Sequence, residues 1–276
     1  MQDAVYRTIC LTGSSKPARH IPILAYHSID ESPSEVALPE AMFRSQIEFL
    51  KERQYVTIGL DDLLEHLKDG SGIRRRAVVI TFDDGFKSTY ERAFPILREN
   101  GFTATIFLTA HSVGSRCNWL PEDSLLSQMP MLDWEEIAEM QHHGFRFGAH
   151  SLTHPCLTSL TREEAEEEIR RSKEYLEEKL QTPIRFFCYP YGYFDAGTME
   201  LVARCGYFGA CTMLFGTDNA FEDRYKLKRI ILSRDDPRSF LRAVLTDGFN
   251  RWRRMVRMGK RLLSMPLMPT DEEDRE

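Results

Sequence analysis

No apolar run in this 276-residue chain approaches the roughly 20 residues that a bilayer-spanning helix needs. Residues 1–20 also lack the basic segment followed by an apolar one that marks a secretory signal, so a cytoplasmic location is expected. Positive charge is not in excess: 36 Lys and Arg stand against 42 Asp and Glu, a net charge of −6. That balance argues against a nucleic-acid binder, which needs a basic face to neutralise phosphates. Cysteine is sparse and scattered (Cys10, Cys117, Cys156, Cys188, Cys205 and Cys211), with no C-x-x-C pair. In a chain of this length, that argues against a disulfide framework and for reduced thiols. Internal repeats and low-complexity linkers are lacking as well.

What is present is an alternation of short apolar runs with amphipathic segments, the pattern of parallel βα units. Strands are expected over 21–26, 55–58, 77–82, 103–108, 145–149, 185–189, 208–212 and 228–232. Helices are expected over 40–52, 60–68, 88–100, 133–143, 162–180 and 196–205. Gly101, Gly144 and Gly206 stand just past three of these helices, where C-terminal caps fall. Thr161 and Glu164 form a capping-box pair, after which Ala165, Ile169, Leu176 and Leu180 share one face. The charge run at 163–171 reads as that helix's solvated side. The chain is long enough for one α/β barrel or two smaller domains. Residues 110–131 have no periodicity and read as a long loop over a barrel mouth, a candidate substrate lid.

Two short stretches carry the chemistry. Thr81-Phe82-Asp83-Asp84-Gly85 sets adjacent carboxylates at the end of an apolar run, and His150-Ser151-Leu152-Thr153-His154 sets two imidazoles four residues apart. One Asp with two His is a common ligand set for a catalytic divalent metal, with a position left open for water. The other Asp could then serve as base. Asp-Asp-Gly alone is also ordinary turn chemistry, and two such histidines alone can be surface residues. Placement decides between these readings, because a parallel α/β barrel gathers the C-terminal ends of its strands on the rim where active sites sit. Asp83 and Asp84 follow the strand 77–82, and His150 follows 145–149. Pro190, Tyr191 and Gly192 follow 185–189, and His27 follows 21–26. All reach one rim, which points to metal-assisted hydrolysis.

With these motifs the chain resembles the polysaccharide deacetylase superfamily, the NodB-homology or carbohydrate esterase family 4 proteins. Residues 81–85 resemble its first motif, His150-Ser151-x-x-His154 its second, and Phe187-Cys188-Tyr189-Pro190-Tyr191-Gly192 its third. Pro22-Ile23-Leu24-Ala25-Tyr26-His27-Ser28-Ile29 is similar to the branch of poly-β-1,6-N-acetylglucosamine deacetylases. The resemblance spans residues 20–235 and implies a distorted, TIM-like (β/α) barrel of about seven parallel strands. That domain is expected over 20–248, between an N-terminal extension (1–19) and a C-terminal segment (249–276).

The resemblance further implies Asp84, His150 and His154 as ligands of a divalent metal, Zn2+ foremost, with Co2+, Ni2+ or Fe2+ as alternatives. Asp83 is then the base, and the backbone N–H of Tyr191 holds the oxyanion. His27 is the acid that protonates the departing amine. No histidine follows His154, so the late histidine usual in the family is missing and His27 takes its place. His66, His111, His142 and His143 carry no motif, and Asp195 reads as a helix cap. Pro190, Tyr191, Gly192 and Trp134 are the expected substrate contacts. Many relatives place an Arg three residues before the motif-three Tyr to orient the base, but here that residue is Cys188. Arg185 lies at the strand start, too far from the rim, which leaves Arg229 or Arg234 to supply the charge.

The expected activity is removal of N-acetyl groups from an N-acetylhexosamine-containing glycan or a lipid-linked sugar. The alternatives are a polysaccharide O-acetyl esterase, or a catalytically silent subunit of a polysaccharide-synthesis complex, to which Cys188 lends support. At the C-terminal end, residues 251–261 carry six basic side chains and no acidic one. Trp252, Met255, Val256, Gly259, Leu262 and Leu263 recur there at helical spacing. Residues 250–264 read either as a basic amphipathic helix on an anionic membrane or as a last helix covering the barrel. Residues 271–276 read as an acidic, disordered tail.

Overall fold

A strand such as Ala77–Phe82, buried at every position, is stable only where both faces of its sheet are covered. The chain meets that demand with a parallel barrel wrapped by helices. A computed structural model describes residues 21–245, apart from 71, 72, 74, 75, 122, 123, 125, 235 and 237. The N-terminal extension, the segment 250–264 and the acidic tail lie outside the described residues. In chain order the elements are β1 (Ile23–Tyr26), β2 (Ser28–Ile29), β3 (Ala37–Leu38), α1 (Glu40–Glu52), β4 (Val56–Thr57) and α2 (Leu60–Asp69). Then come β5 (Ala77–Phe82), α3 (Phe94–Asn100), β6 (Thr105–Leu108), α4 (Trp134–His142), β7 (Arg146–Ala149) and α5 (Arg162–Leu180). The last are β8 (Phe186–Cys188), α6 (Ala196–Arg204), β9 (Gly209–Phe215), β10 (Leu227–Ile231) and α7 (Arg238–Val244).

The seven strands β5-β6-β7-β8-β9-β10-β1 run parallel and close on themselves through the β1–β5 pairing. β4 adds a short eighth strand against Ala77 and Val78, the first residues of β5. Alternate strand side chains divide into two apolar clusters. Leu24, Val78, Ile80 and Ile106 meet the helices in the outer one. Ile23, Val79, Phe107, Phe186 and Leu227 fill the interior, closed at one end by Leu60, Leu63 and Leu64 of α2.

Gly148, beside Phe107 in the β6–β7 register, leaves space for that ring: a Cβ would stand 2.6 Å from its carbons and 2.9 Å from the Phe186 carbonyl. Gly148→Ala is expected to destabilise the fold by about 1–3 kcal/mol through overpacking. Denaturant melts would show it, and an unchanged midpoint would mean the interior yields at no cost.

Two expected elements are modified. The helix over 88–100 begins as a widened π-turn, Thr89–Ala93, in which the Phe94 N–H reaches back to the Thr89 carbonyl. Pro95, at the start of α3, has no N–H to give the preceding turn, and the wider turn absorbs that loss. The expected loop 110–131 is tied down by bridges Phe86–Met131 and Arg116–Pro130. Phe86, Cys117 and Met131 give it a small core of its own. The pair β2–β3 and α7 had no signal in the periodicity. α5 keeps its expected bounds, with Thr161 Oγ1 accepting from the Glu164 N–H at 3.3 Å. Asp195 caps α6 through the Thr198 N–H at 2.7 Å. No helix among the described residues is long and apolar enough to cross a membrane.

Candidate active site

The two aspartates after β5 part in direction. Asp83 continues the strand, its N–H donating to the Tyr26 carbonyl at 2.9 Å, and its side chain points into the barrel. Asp84 turns out at φ 70°, a left-handed conformation that its short polar side chain tolerates. Gly85 follows at φ 86°, where a Cβ would meet Leu108 Cδ2 at 2.8 Å, so the turn needs glycine.

His150 extends β7, its N–H donating to the Leu108 carbonyl at 2.8 Å. Its Nδ1 lies 2.7 Å from the Cys188 carbonyl. A carbonyl only accepts, so Nδ1 carries the proton and Nε2 faces Asp84 Oδ1 at 3.3 Å. His154 brings its Nε2 to 3.2 Å from the same oxygen. All three residues are buried, and the three candidate ligand atoms lie within 4.8 Å of one another.

Such a cluster is held either by a proton on His150 Nε2 or by a cation among the three atoms. Burial works against a charged His150, but the hydrogen bond with Asp84, the charges of Asp83 and Asp84 and the Cys188 carbonyl together outweigh it and raise the pKa. Burial pulls the His154 pKa down and keeps that ring neutral, with a lone pair to offer. Burial also opposes charge on Asp84, yet the two imidazoles hold its carboxyl well below the usual range. One carboxylate oxygen and two imidazole nitrogens fit a divalent metal of nitrogen and oxygen preference. The group Asp83, His150 and Cys188 is equally close but does not fit. Both Asp83 oxygens are engaged elsewhere, and burial pushes the Cys188 thiol far above its usual pKa.

The engagement of Asp83 changes the expectation raised by Cys188. Arg229, fully buried inside the barrel, grips both carboxylate oxygens: Nη1 to Oδ1 at 2.7 Å and Nη2 to Oδ2 at 2.6 Å. Its Nε donates to the Thr212 carbonyl at 2.8 Å, and Nη2 also reaches Cys188 Sγ at 3.2 Å. The arginine missing from the motif-three strand β8 thus arrives from β10, and Cys188 becomes its neighbour. A register shift between Leu227 and Arg229 along β9 accompanies this placement. Burial opposes the Asp83 charge, but Arg229 outweighs it and lowers the pKa, so this carboxylate is ionised at neutral pH.

His27, after β1, completes the group, with its Nε2 3.8 Å from Asp83 Oδ2 and its side chain 11% exposed. The turn Pro190–Gly192 brings Tyr191 to the rim at φ 57°. Tyr191 is 44% exposed, and the edge of its ring meets His154 at 4.6 Å. Trp134 is not brought here: it starts α4 and packs against Tyr175 at 6.0 Å in the helical layer. The tryptophan at the site is Trp119, from the tied-down loop, stacked on His154 at 4.7 Å and 25°. Sequence reading missed it because the loop has no periodicity. Among the described residues, Asp83 pairs with Arg229, and no contact from Arg234 reaches it.

A closed parallel barrel with carboxylates and imidazoles gathered on one rim defines a hydrolase of the barrel deacetylase class. The family model for polysaccharide deacetylases matches residues 71–210, and the chain belongs to that family. The matched stretch holds Asp83, Asp84, His150, His154 and Tyr191, while His27 and Arg229 lie outside it. YxkH of Bacillus subtilis (strain 168), which carries a polysaccharide deacetylase name, is 28% identical over 220 residues, covering 80% of this chain and 74% of that protein. The poly-β-1,6-N-acetyl-D-glucosamine N-deacetylase of Staphylococcus epidermidis is 24% identical over 217 residues, 75% of this chain and 71% of that one. Among solved structures, Streptococcus pyogenes deacetylase PplD, in complex with acetate, superposes with a TM-score of 0.72. It is 24% identical, over 82% of this chain and 98% of that one. IcaB from Ammonifex degensii gives a TM-score of 0.71 at 23% identity, over 84% of this chain and 99% of its own. Both share the fold.

Proposed function

We propose that this chain is a metal-dependent N-deacetylase acting on a glycan or lipid-linked sugar that contains N-acetylhexosamine. The observation that carries the reading is the juxtaposition of an ionised, arginine-held Asp83 with His27 on one side and the Asp84–His150–His154 cluster on the other. Asp84, His150 and His154 would hold the metal, with Zn2+ the ion their donor atoms suit best. When bound, the ion supplies Lewis acidity and makes a water nucleophilic near neutral pH. Asp83 accepts the proton of the attacking water. The backbone N–H of Tyr191 donates to the oxyanion that forms on the acetamide carbonyl. His27 donates a proton to the departing amine, which leaves poorly as an anion. Tyr191, Gly192 and Trp119 would line the place where the sugar lies, whereas Pro190, expected as a contact, is buried beneath the turn. This is in keeping with the acetylated glucosamine polymer named for the staphylococcal relative. Arg229 removes the ground for a catalytically silent reading, because Asp83 does not lack its arginine.

Mass spectrometry of acetylated oligosaccharides incubated with the zinc-loaded chain tests the proposal directly, and absence of acetate loss from every N-acetylated candidate would overturn it. His27→Ala sharpens the test. Amide cleavage is expected to fall about 100-fold, while cleavage of a phenyl acetate, whose leaving group needs no proton, falls far less. Equal losses would remove His27 from the acid role. Release from O-acetylated xylan alone would favour the esterase.

A further inference from the structure

The turn that carries His154 is held in an unfavourable shape. Ser151 and His154 both adopt left-handed backbone conformations, φ 61° and 66°, which residues with a Cβ seldom keep without outside support. Ser151 Oγ accepts from the His154 N–H at 2.9 Å, and the N–H groups of Ala110 and His111 reach the Ser151 and Leu152 carbonyls. The remaining support comes from one carboxylate on a helix. Glu168 Oε2 accepts from the Leu152 N–H at 3.0 Å and the Thr153 N–H at 2.9 Å. Its Oε1 accepts from Thr153 Oγ1 at 2.7 Å.

Successive backbone N–H groups turned to one side form a concavity for an anion, and here Glu168 supplies it. Charge-assisted bonds of this kind are roughly twice as strong as neutral ones. The other acids nearby serve differently. Glu167 and Glu174 pair with Arg170, and Glu166 with Arg204, on the surface of the same helix. Glu168 is also rigidly placed, since Ala165 and Ile169 beside it anchor α5 in the core.

We infer that Glu168 is a positioning residue for the metal centre: its carboxylate fixes the 151–154 turn so that His154 Nε2 converges with His150 Nε2 on Asp84. The inference rests on the metal-site reading above. It assigns a binding role to a side chain far from every motif, within a charge run that reads as a solvated face. It also distinguishes two kinds of damage, since losing a ligand removes a donor atom, while losing Glu168 leaves every donor present but loosely aimed.

The test is competition for Zn2+ between the full-length apoprotein and a chromophoric chelator. Glu168→Ala is expected to weaken zinc binding about 10- to 100-fold, the usual effect of deleting a group that orients a ligand. Glu168→Gln should stay within a few-fold of wild type, because its amide oxygen can still accept both N–H groups and its NH2 can donate to Thr153 Oγ1. Glu174→Ala, a surface change on the same helix, should leave affinity unchanged. In activity titrations, Glu168→Ala should need more zinc to reach half-activation yet approach the wild-type plateau at saturation. Circular dichroism of each apoprotein reports folding, and if the Ala variant fails to fold, Thr153→Val, which removes the Oγ1 bond, should still weaken zinc binding. A folded Ala variant, or failing that a Thr153→Val variant, that binds zinc as tightly as wild type overturns the inference. Wild type that binds no zinc overturns the metal reading itself and the inference with it.

Discussion

Asp83→Asn is expected to lower N-deacetylation by about 10^3- to 10^4-fold while zinc still binds. Asp83 adjoins the Asp84–His150–His154 cluster, but both its oxygens are given to Arg229, so on the proposed ligand set removing its charge takes no donor from the metal. The loss falls on the proton that the attacking water must give up, which a carboxamide cannot accept. Acetate release and zinc titration on the same preparation separate the roles. Activity within about tenfold of wild type would exclude Asp83 as base, taking the low end of general-base effects. Parallel loss of zinc would make it a ligand. The variant should also melt lower, because its NH2 group would face Arg229 Nη2, donor to donor, where 2.6 Å now separates acceptor from donor. The sign of the pH dependence follows from Asp83's lowered pKa. Its contribution to stability is complete above the unfolded carboxyl pKa, near 3.8, and is lost as pH falls through the lower folded value. The stability gap between wild type and variant should therefore hold at neutral pH and close only in strong acid.

How much of this was legible depends on whether a feature is local. β5 could be read from its run of apolar residues, and the rim followed from where the runs at 77–82 and 145–149 end. The bounds of α1 could be read from its period, and those of α5 from its period and capping box. The π-turn before α3 was hidden, because Pro95 fits a helix start as readily as a wider turn. Trp119 lies in an aperiodic loop and Trp134 at a helix start, and neither position tells which reaches the site. The bridges and hydrogen bonds that fold 110–131 back on Phe86 bring the first to His154. Glu168 is one of many acids in α5, and nothing local marks it as the one that reaches the 151–154 turn. Arg229 could be named as a candidate because its charge had to come from somewhere. Its bidentate grip depends on strands that meet only when the barrel closes. Within β10, where it points to the same buried side as Leu227 rather than out with Lys228, an arginine is either a functional residue or an error of strand assignment. The buried partner Asp83 decides for the first.

Arg229→Met should be the most damaging single change to the fold among those considered. Breaking one side of a fully buried ion pair leaves the other charge without compensation, at a cost of about 3–5 kcal/mol, and both Arg229 and Asp83 are buried. The same change acts on the chemistry. Burial already pushes the Asp83 carboxyl upward, and Arg229 is the foremost of the groups that reverse the direction, with smaller help from His27 and His150. Without it, Asp83 should protonate in a range where it is now ionised, and the acid limb of the rate profile should move to higher pH. Arg229→Lys keeps a positive charge but not the two-pronged grip, so it should recover part of the stability and little of the activity. The double variant Asp83→Asn, Arg229→Met removes both charges, and buried pairs replaced by uncharged groups often lose nothing in stability. It should therefore melt above Arg229→Met alone, with a coupling of about 0.5–3 kcal/mol between the two sites. Additive losses would mean that the 2.6 Å contact does not carry the energy of this pair. Recovered stability with no recovered deacetylation would show that the barrel tolerates the pair's removal and that the pair is kept for the reaction.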